Sequence, residues 1–272
     1  MAECIVITSG KGGVGKTTTS ANLATGLALS GKKVVAIDAD IGLRNLDVIL
    51  GLENRIVYDL VQVIEGECRL KQALIRDKRV EGLSLLPAAQ TRDKSSVRPE
   101  DMKKLVNDLK ELGTDYIIID CPAGIEQGFK NSIAGADRAI IVTTPEVSAI
   151  RDADRIIGLV EAHELPEPKL ILNRYRPGLV ARGDMMNRED ILEILAIPLM
   201  GIIPDHEEIV ISANRGSPVV FDELSVVGAA YRRIVRRVLG EEVEIPSFDV
   251  QDDGVWASFK RWMGLTAARE VV

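Results

Sequence analysis

The chain has 272 residues, 46% of them apolar and 28% charged, with a formal net charge of −7. That composition folds as a globular protein with a sizeable core, and its acidic balance argues against a globally basic nucleic-acid binder. Cys4, Cys68 and Cys121 form no CxxC pair and His163 and His206 stand far apart, which disfavours a disulfide framework, a zinc site and an iron–sulfur cluster.

The first residues lack the charged start and long apolar middle of a signal peptide, and no run reaches the roughly 18 to 20 apolar residues of a membrane span. A cytosolic-type protein with neutral thiols is expected. In chain order, strands are expected over 4–8, 33–38, 83–87, 116–120, 139–144, 169–173 and 199–203. Helical patterns cover 16–29, 99–112, 124–134, 148–163, 188–195 and 223–239. Several strands, such as Ile117-Ile118-Ile119 and Ile140-Ile141-Val142, are continuously apolar, the mark of a strand buried on both faces. Strand–helix alternation of this kind implies an α/β fold: a doubly wound, mostly parallel sheet of about seven or eight strands flanked by helices.

Between the first strand and first helix, Gly10-Lys11-Gly12-Gly13-Val14-Gly15-Lys16-Thr17 fits G-x-x-x-x-G-K-[ST], the phosphate loop of P-loop NTPases. Its glycines let backbone N–H groups converge on phosphate oxygens, and the helix N-terminus adds positive potential. Lys16 would hold the β- and γ-phosphates of ATP, and the Thr17 hydroxyl would ligate Mg²⁺. Lys11 is a second loop lysine. It is either an exposed cation near a polyanion or a source of transition-state charge for a neighbouring subunit's nucleotide.

The strand 116–120 ends on Asp120, as a Walker B acid holding Mg²⁺ would, and the second strand ends on Asp38-Ala39-Asp40. Acids at strand ends can also simply cap helices. Here they join the phosphate loop at the carboxyl edge of a parallel sheet, where ligands bind in open α/β folds. With no strong general base in evidence, hydrolysis should be slow.

The segment 11–17, the run Asp38-Ala39-Asp40-Ile41-Gly42-Leu43-Arg44-Asn45-Leu46-Asp47 and the run Asp120-Cys121-Pro122-Ala123-Gly124 together resemble the deviant Walker A ATPases of the ParA/MinD family. Pro87 to Lys94, Pro145-Glu146-Val147-Ser148 and Arg182-Gly183-Asp184-Met185 are similar to the septum-site-determining branch of that family. The resemblance spans nearly the whole chain. It implies that Lys11 reaches a partner's nucleotide across an ATP-dependent homodimer and that Asp40 is the switch aspartate linked to hydrolysis. Asp38 would be its nearby carboxylate, Asp120 the Walker B aspartate, and Thr18 the residue at the α-phosphate. Asn173, Arg174, Pro204 and Asp205 would line the adenine pocket. Arg151 and Asp152 would fall in the helix that binds partners, which the resemblance names as a MinC-like division inhibitor and a MinE-like activator of hydrolysis. The expected activity is a slow, partner-stimulated ATP hydrolase.

The C-terminus supports a membrane role on its own terms. Residues 1–240 form the expected ATPase domain, 241–253 an acidic linker without a base, and 254–272 a tail that holds both tryptophans. As a helix, Val255, Trp256, Phe259, Trp262 and Met263 fall within an arc of about 120°, with Lys260 and Arg261 on its flanks and back. Such a helix lies in the interface of an anionic membrane; docking on the protein's own core is the competing account. The expected protein is thus cytoplasmic and peripheral on the inner face of a membrane, with no nucleic-acid partner. The alternative weighed against it is a ParA-type DNA-segregation ATPase, which needs a basic DNA-binding face.

Overall fold

The computed structural model describes residues 2–92 and 96–246. In chain order its elements are β1 (Glu3–Thr8), α1 (Lys16–Leu29), β2 (Val34–Asp38), α2 (Leu46–Ile49), α3 (Leu60–Ile64), α4 (Leu70–Ala73), β3 (Ile75–Arg76) and β4 (Leu83–Leu86). Then follow α5 (Pro99–Glu111), β5 (Tyr116–Asp120), α6 (Gln127–Ile133), β6 (Arg138–Thr143), α7 (Val147–Ala162) and β7 (Lys169–Tyr175). The chain continues through α8 (Pro177–Ala181), α9 (Arg188–Leu195), β8 (Leu199–Pro204), α10 (Glu208–Asn214) and α11 (Val226–Val238).

The strands form one eight-stranded sheet in the order β3-β4-β2-β5-β1-β6-β7-β8. All neighbours pair in parallel except β3, a two-residue edge strand antiparallel to β4. Continuous apolar runs follow from this architecture, because successive residues of a strand feed opposite faces. In β1, Cys4 and Val6 join the core beneath α5, α6 and α7, while Ile5 and Ile7 join the core beneath α1 and α11. In β5, Ile117 and Ile119 face the first core and Ile118 the second. Cys4 and Cys121 are buried, and burial pushes both thiols up, Cys121 to about 12, so both are neutral.

Strand order decides where the site lies. β1 sits between β5 and β6; the connection after β1 runs through α1 to β2 on one side, and that after the adjacent β6 runs through α7 to β7 on the other. The crevice at the carboxyl end of such a strand is where open α/β folds bind ligands. The loop after β1 therefore opens at such a crevice.

The structure starts two helices later than their sequence patterns. The pattern over 124–134 becomes helical only at Gln127, since Gly124 takes φ 94° and a turn precedes the helix. The pattern over 223–239 starts at Val226, where the Ser225 hydroxyl caps the Gly228 N–H at 2.9 Å. Past α11, residues 241–246 remain against the body. The Arg237 guanidinium donates to the carbonyls of Val243 and Glu244 and to that of Met200 at the start of β8, and Ile245 packs on the core.

Ile118 is wholly buried in the centre of the sheet, so Ile118→Ala removes atoms that no neighbour can replace. The expected loss is about 2 to 5 kcal/mol in urea unfolding; a loss well below that range would mean the helix layers collapse onto the void.

Candidate nucleotide site

The loop from Gly10 to Thr17 joins β1 to α1 and closes tightly against its surroundings. Gly15 caps α1 at φ 100°, a left-handed conformation that L side chains rarely adopt. A Cβ there would collide with the side-chain amide of Asn173, and one at Gly10 with the backbone carbonyl of Asp152 in α7. These glycines are fixed by close approach as well as by turn geometry. The amide N–H groups that open α1 then face the crevice, an anion-binding arrangement.

Lys16 is 8% exposed, at the first turn of α1. Behind it, Asp38 and Asp120 end the neighbouring strands β2 and β5 in register. Asp38 accepts N–H bonds from Asp40 at 3.0 Å and from Asn45 and Leu46 at 3.1 Å, so the loop after β2 folds around its carboxylate. Asp120 accepts the Ser20 hydroxyl at 2.8 Å and is also hydrogen-bonded by Thr17. Burial, above all, holds both carboxyls above the usual carboxylate range. Asp120 raises Asp38 further, while Asp40 raises Asp120 and the Thr17 and Ser20 hydroxyls and the Lys16 ammonium oppose it. A buried carboxylate beside a threonine hydroxyl, both facing a phosphate cradle, is a donor set that fits a hard divalent cation.

Lys11 turns away from this cluster. Its ammonium lies 3.2 Å from the Glu146 carboxylate and 3.1 Å from the Ser148 hydroxyl, with side-chain exposures of 41% for Lys11 and 56% for Glu146. Asn173 braces the loop directly, its amide donating to the Val14 carbonyl at 2.7 Å. A bulge makes this reach available: β7 pairs Leu172 with Ile202 but Tyr175 with Pro204, and Arg174 takes φ 55°. Arg174 is exposed, and Asp205 is engaged by Arg176 at 2.6 Å, close to Pro204 at the end of β8. Thr18 lies on α1, where its carbonyl accepts the Asn22 amide. Arg151 and Asp152 lie on α7, Arg151 exposed and Asp152 with its backbone on Gly10.

Lys11, Lys16, Thr17, Asp38, Asp40, Asp120, Asn173 and Asp152 thus converge on one end of the sheet. Val255, Trp256, Phe259, Lys260, Arg261, Trp262 and Met263 lie outside the described residues. Ser20, Glu146 and Ser148 were not singled out as site residues by the sequence. Ser20 had a usable signal in its position one turn after Lys16 on the same helix face, and Glu146 and Ser148 lie in the run Pro145-Glu146-Val147-Ser148 that carries part of the resemblance.

A family model described as the CobQ/CobB/MinD/ParA nucleotide binding domain matches residues 5–219. The septum site-determining protein MinD of Bacillus subtilis is 55% identical over 267 residues, covering 97% of this chain and 99% of that protein. The chain belongs to the MinD family. Its fold is similar to that of MinD in the MinC:MinD cell division complex of Aquifex aeolicus, with a TM-score of 0.84, 51% identity and coverage of 90% of this chain and 99% of that one. It is also similar to MinD of Pyrococcus horikoshii complexed with Mg-ADP, with a TM-score of 0.79, 30% identity and coverage of 88% and 96%. MinD-family membership makes this a P-loop ATPase of cell division, and the geometry at the end of β1 is consistent with that class.

The raised Asp120 has a consequence for stability. Its charge penalises the native state above its raised folded pKa, and the penalty is relieved as pH falls toward the unfolded value. Asp120→Asn is therefore expected to raise the thermal midpoint of the nucleotide-free protein at about pH 8, with the gain shrinking toward about pH 5. An equal gain at both pH values in calorimetry would remove the carboxylate's charge as its cause.

Proposed function

We propose that the protein cycles between cytosol and an anionic membrane to place the division septum. In this cycle its ATP-bound form pairs with a second copy, holds the membrane through residues 254–272 and recruits a MinC-like inhibitor. A MinE-like activator then stimulates hydrolysis and releases it. The observation that carries this reading is Lys11. One site needs one phosphate lysine, and buried Lys16 serves that role. Lys11 instead lies outside the cluster, on partners that are both exposed. An exposed pair of this kind is worth about 1 kcal/mol or less, so it gives way readily to a phosphate presented by a second copy.

Thr17 and Asp120 would hold Mg²⁺, with Asp38 ordering the loop that carries Asp40. The cation supplies charge neutralisation at the β- and γ-phosphates when bound. Lys16 and the loop amides orient the phosphates, and the hydroxyls of Thr17 and Ser20 keep the Asp120 carboxylate turned toward them. The Mg-ADP of the Pyrococcus horikoshii protein supports the nucleotide and the metal, and the Aquifex aeolicus complex supports the inhibitor as partner.

The tail explains why pairing would control location. Five partly inserted apolar side chains contribute roughly 5 to 10 kcal/mol gross. Ordering the helix costs about 1 to 2 kcal/mol per residue and offsets much of that. One tail binds weakly; two on a dimer gain about 10²- to 10⁴-fold in avidity.

Two measurements test this. Lys11→Ala is expected to abolish the ATP-dependent increase in mass seen by light scattering while the protein still binds nucleotide; an unchanged dimer would refute the role. Co-sedimentation with anionic liposomes is expected in ATP and not in ADP, and to vanish in a chain ending at Pro246, which keeps the Arg237 contacts. Pelleting that ignores either nucleotide or tail would overturn the membrane cycle.

A further inference from the structure

One guanidinium ties together three segments that lead separately into the nucleotide site. Arg79, in the connection between β3 and β4, donates through Nη1 to the Gly216 carbonyl at 2.8 Å and through Nη2 to the Leu50 carbonyl. Its Nε and Nη2 also grip the Asp77 carboxylate at 3.0 and 2.6 Å, and its Cζ lies 5.4 Å from the centre of the Phe221 ring. Burial would raise the Asp77 carboxyl, but the hydrogen bonds from Arg79 carry it below the usual carboxylate range, so the pair stays ionised. Only a planar fork with several donors serves all these acceptors at once.

Leu50 follows α2, Gly216 follows α10, and Phe221 stands beside Val220, whose N–H donates to the Asn22 side chain of α1 at 2.9 Å. The turns after α2 and α10 meet backbone to backbone: a Cβ on Gly51 would lie 2.5 Å from the Gly216 carbonyl oxygen. Arg79 closes that junction by holding a carbonyl on each side of it. Helix α2 is thereby gripped at both ends. The Asn45 and Leu46 N–H groups at its start bond the Asp38 carboxylate, and the Leu50 carbonyl at its end bonds Arg79. Between them the Arg44 side chain, on a backbone at φ 43°, lies 2.9 Å from the buried Asp47 carboxylate. A single helical turn has no stability of its own, so the groups that grip its ends decide where it sits.

We infer that Arg79 is a positioning residue for hydrolysis: by fixing the far end of α2 against the turn after α10, it fixes the loop from Asp38 to Asn45 and with it the placement of Asp40. The inference rests on the reading that Asp38 and Asp40 serve the reaction. Among the described residues, the hydrogen bonds of Arg79 all lie outside the phosphate loop, residues 10–17. Nucleotide affinity, which Lys16 and the loop amides supply, is therefore separable from turnover, which depends on where the switch loop stands.

The test is single-turnover ATP hydrolysis by the full chain, beside Mg-ADP affinity, pairing in ATP and amide hydrogen exchange. Arg79→Lys keeps the charge and loses the fork, whereas Asp77→Asn keeps the shape and releases the fork. Each is expected to slow turnover about tenfold or more while Mg-ADP affinity and pairing change by less than about threefold. Exchange at the Asn45 and Leu46 amides should quicken in both variants, with the amides of Ile117 to Ile119 in β5 unmoved; a general loss of stability would quicken those too. Unchanged turnover in both variants overturns the inference. So does a loss of turnover matched by an equal loss of affinity or pairing, or by faster exchange throughout β5. Asp40→Ala separates the two failures. Turnover that survives Asp40→Ala removes the reading of Asp40 and the inference with it, whereas turnover lost there and kept in Arg79→Lys removes Arg79 alone.

Discussion

Two like charges buried side by side govern the carboxyl end of this molecule. Asp38 and Asp120 end adjacent strands in register, each 1% exposed, and two neighbouring carboxylates withdrawn from water repel each other at several kcal/mol unless something answers them. The answers differ. Asp38 is met by backbone, three N–H groups that wrap the loop after β2 around it. Asp120 is met by α1, through the hydroxyls of Thr17 and Ser20 and the charge of Lys16. One carboxylate therefore orders the loop that carries Asp40, and the other ties the phosphate-loop helix to the central strand. The residual upward shift of both is unmet demand for positive charge, which a divalent cation would supply.

The helix α1 turns that local demand into long-range order. Its side chains are small on most faces, so it packs against sheet and α11 together, with Gly26 against Val235. Near its start, Thr19 meets the Tyr231 hydroxyl at 3.3 Å, and Asn22 bonds both the Thr18 carbonyl and the Val220 N–H. Burial pushes Tyr231 up to about 12, so the contact stays neutral. The other end of α11 holds the chain after it through Arg237. Phosphate loop and tail root are thus opposite ends of one packed helix pair.

This division explains what the sequence made legible. Uninterrupted apolar runs announced the parallel strands, because a strand covered on both faces has no polar side to alternate. Gly10, Gly15, Lys16 and Thr17 announced the phosphate loop because the chemistry tolerates few other residues. The edge strand β3 and the short helices α2, α3, α4, α8 and α10 left no period long enough to read. Asn173 was assigned to the adenine pocket, while its amide in fact also supports the loop at Val14; only the bulge at Arg174 reveals that reach. The attachment of residues 241–246 was invisible for a plainer reason: Arg237 binds carbonyl groups, which every residue possesses.

Charge is distributed between the ends according to how each must behave. At the carboxyl edge the ionic groups are buried and individually strong, so a change in phosphate charge is felt directly by the loops that hold them. At the amino edge a pair such as Arg236 and Glu241 is exposed, and each pair of that kind is worth little by itself. Contacts of the first kind switch with the charge beside them; contacts of the second are screened by salt and matter only in number.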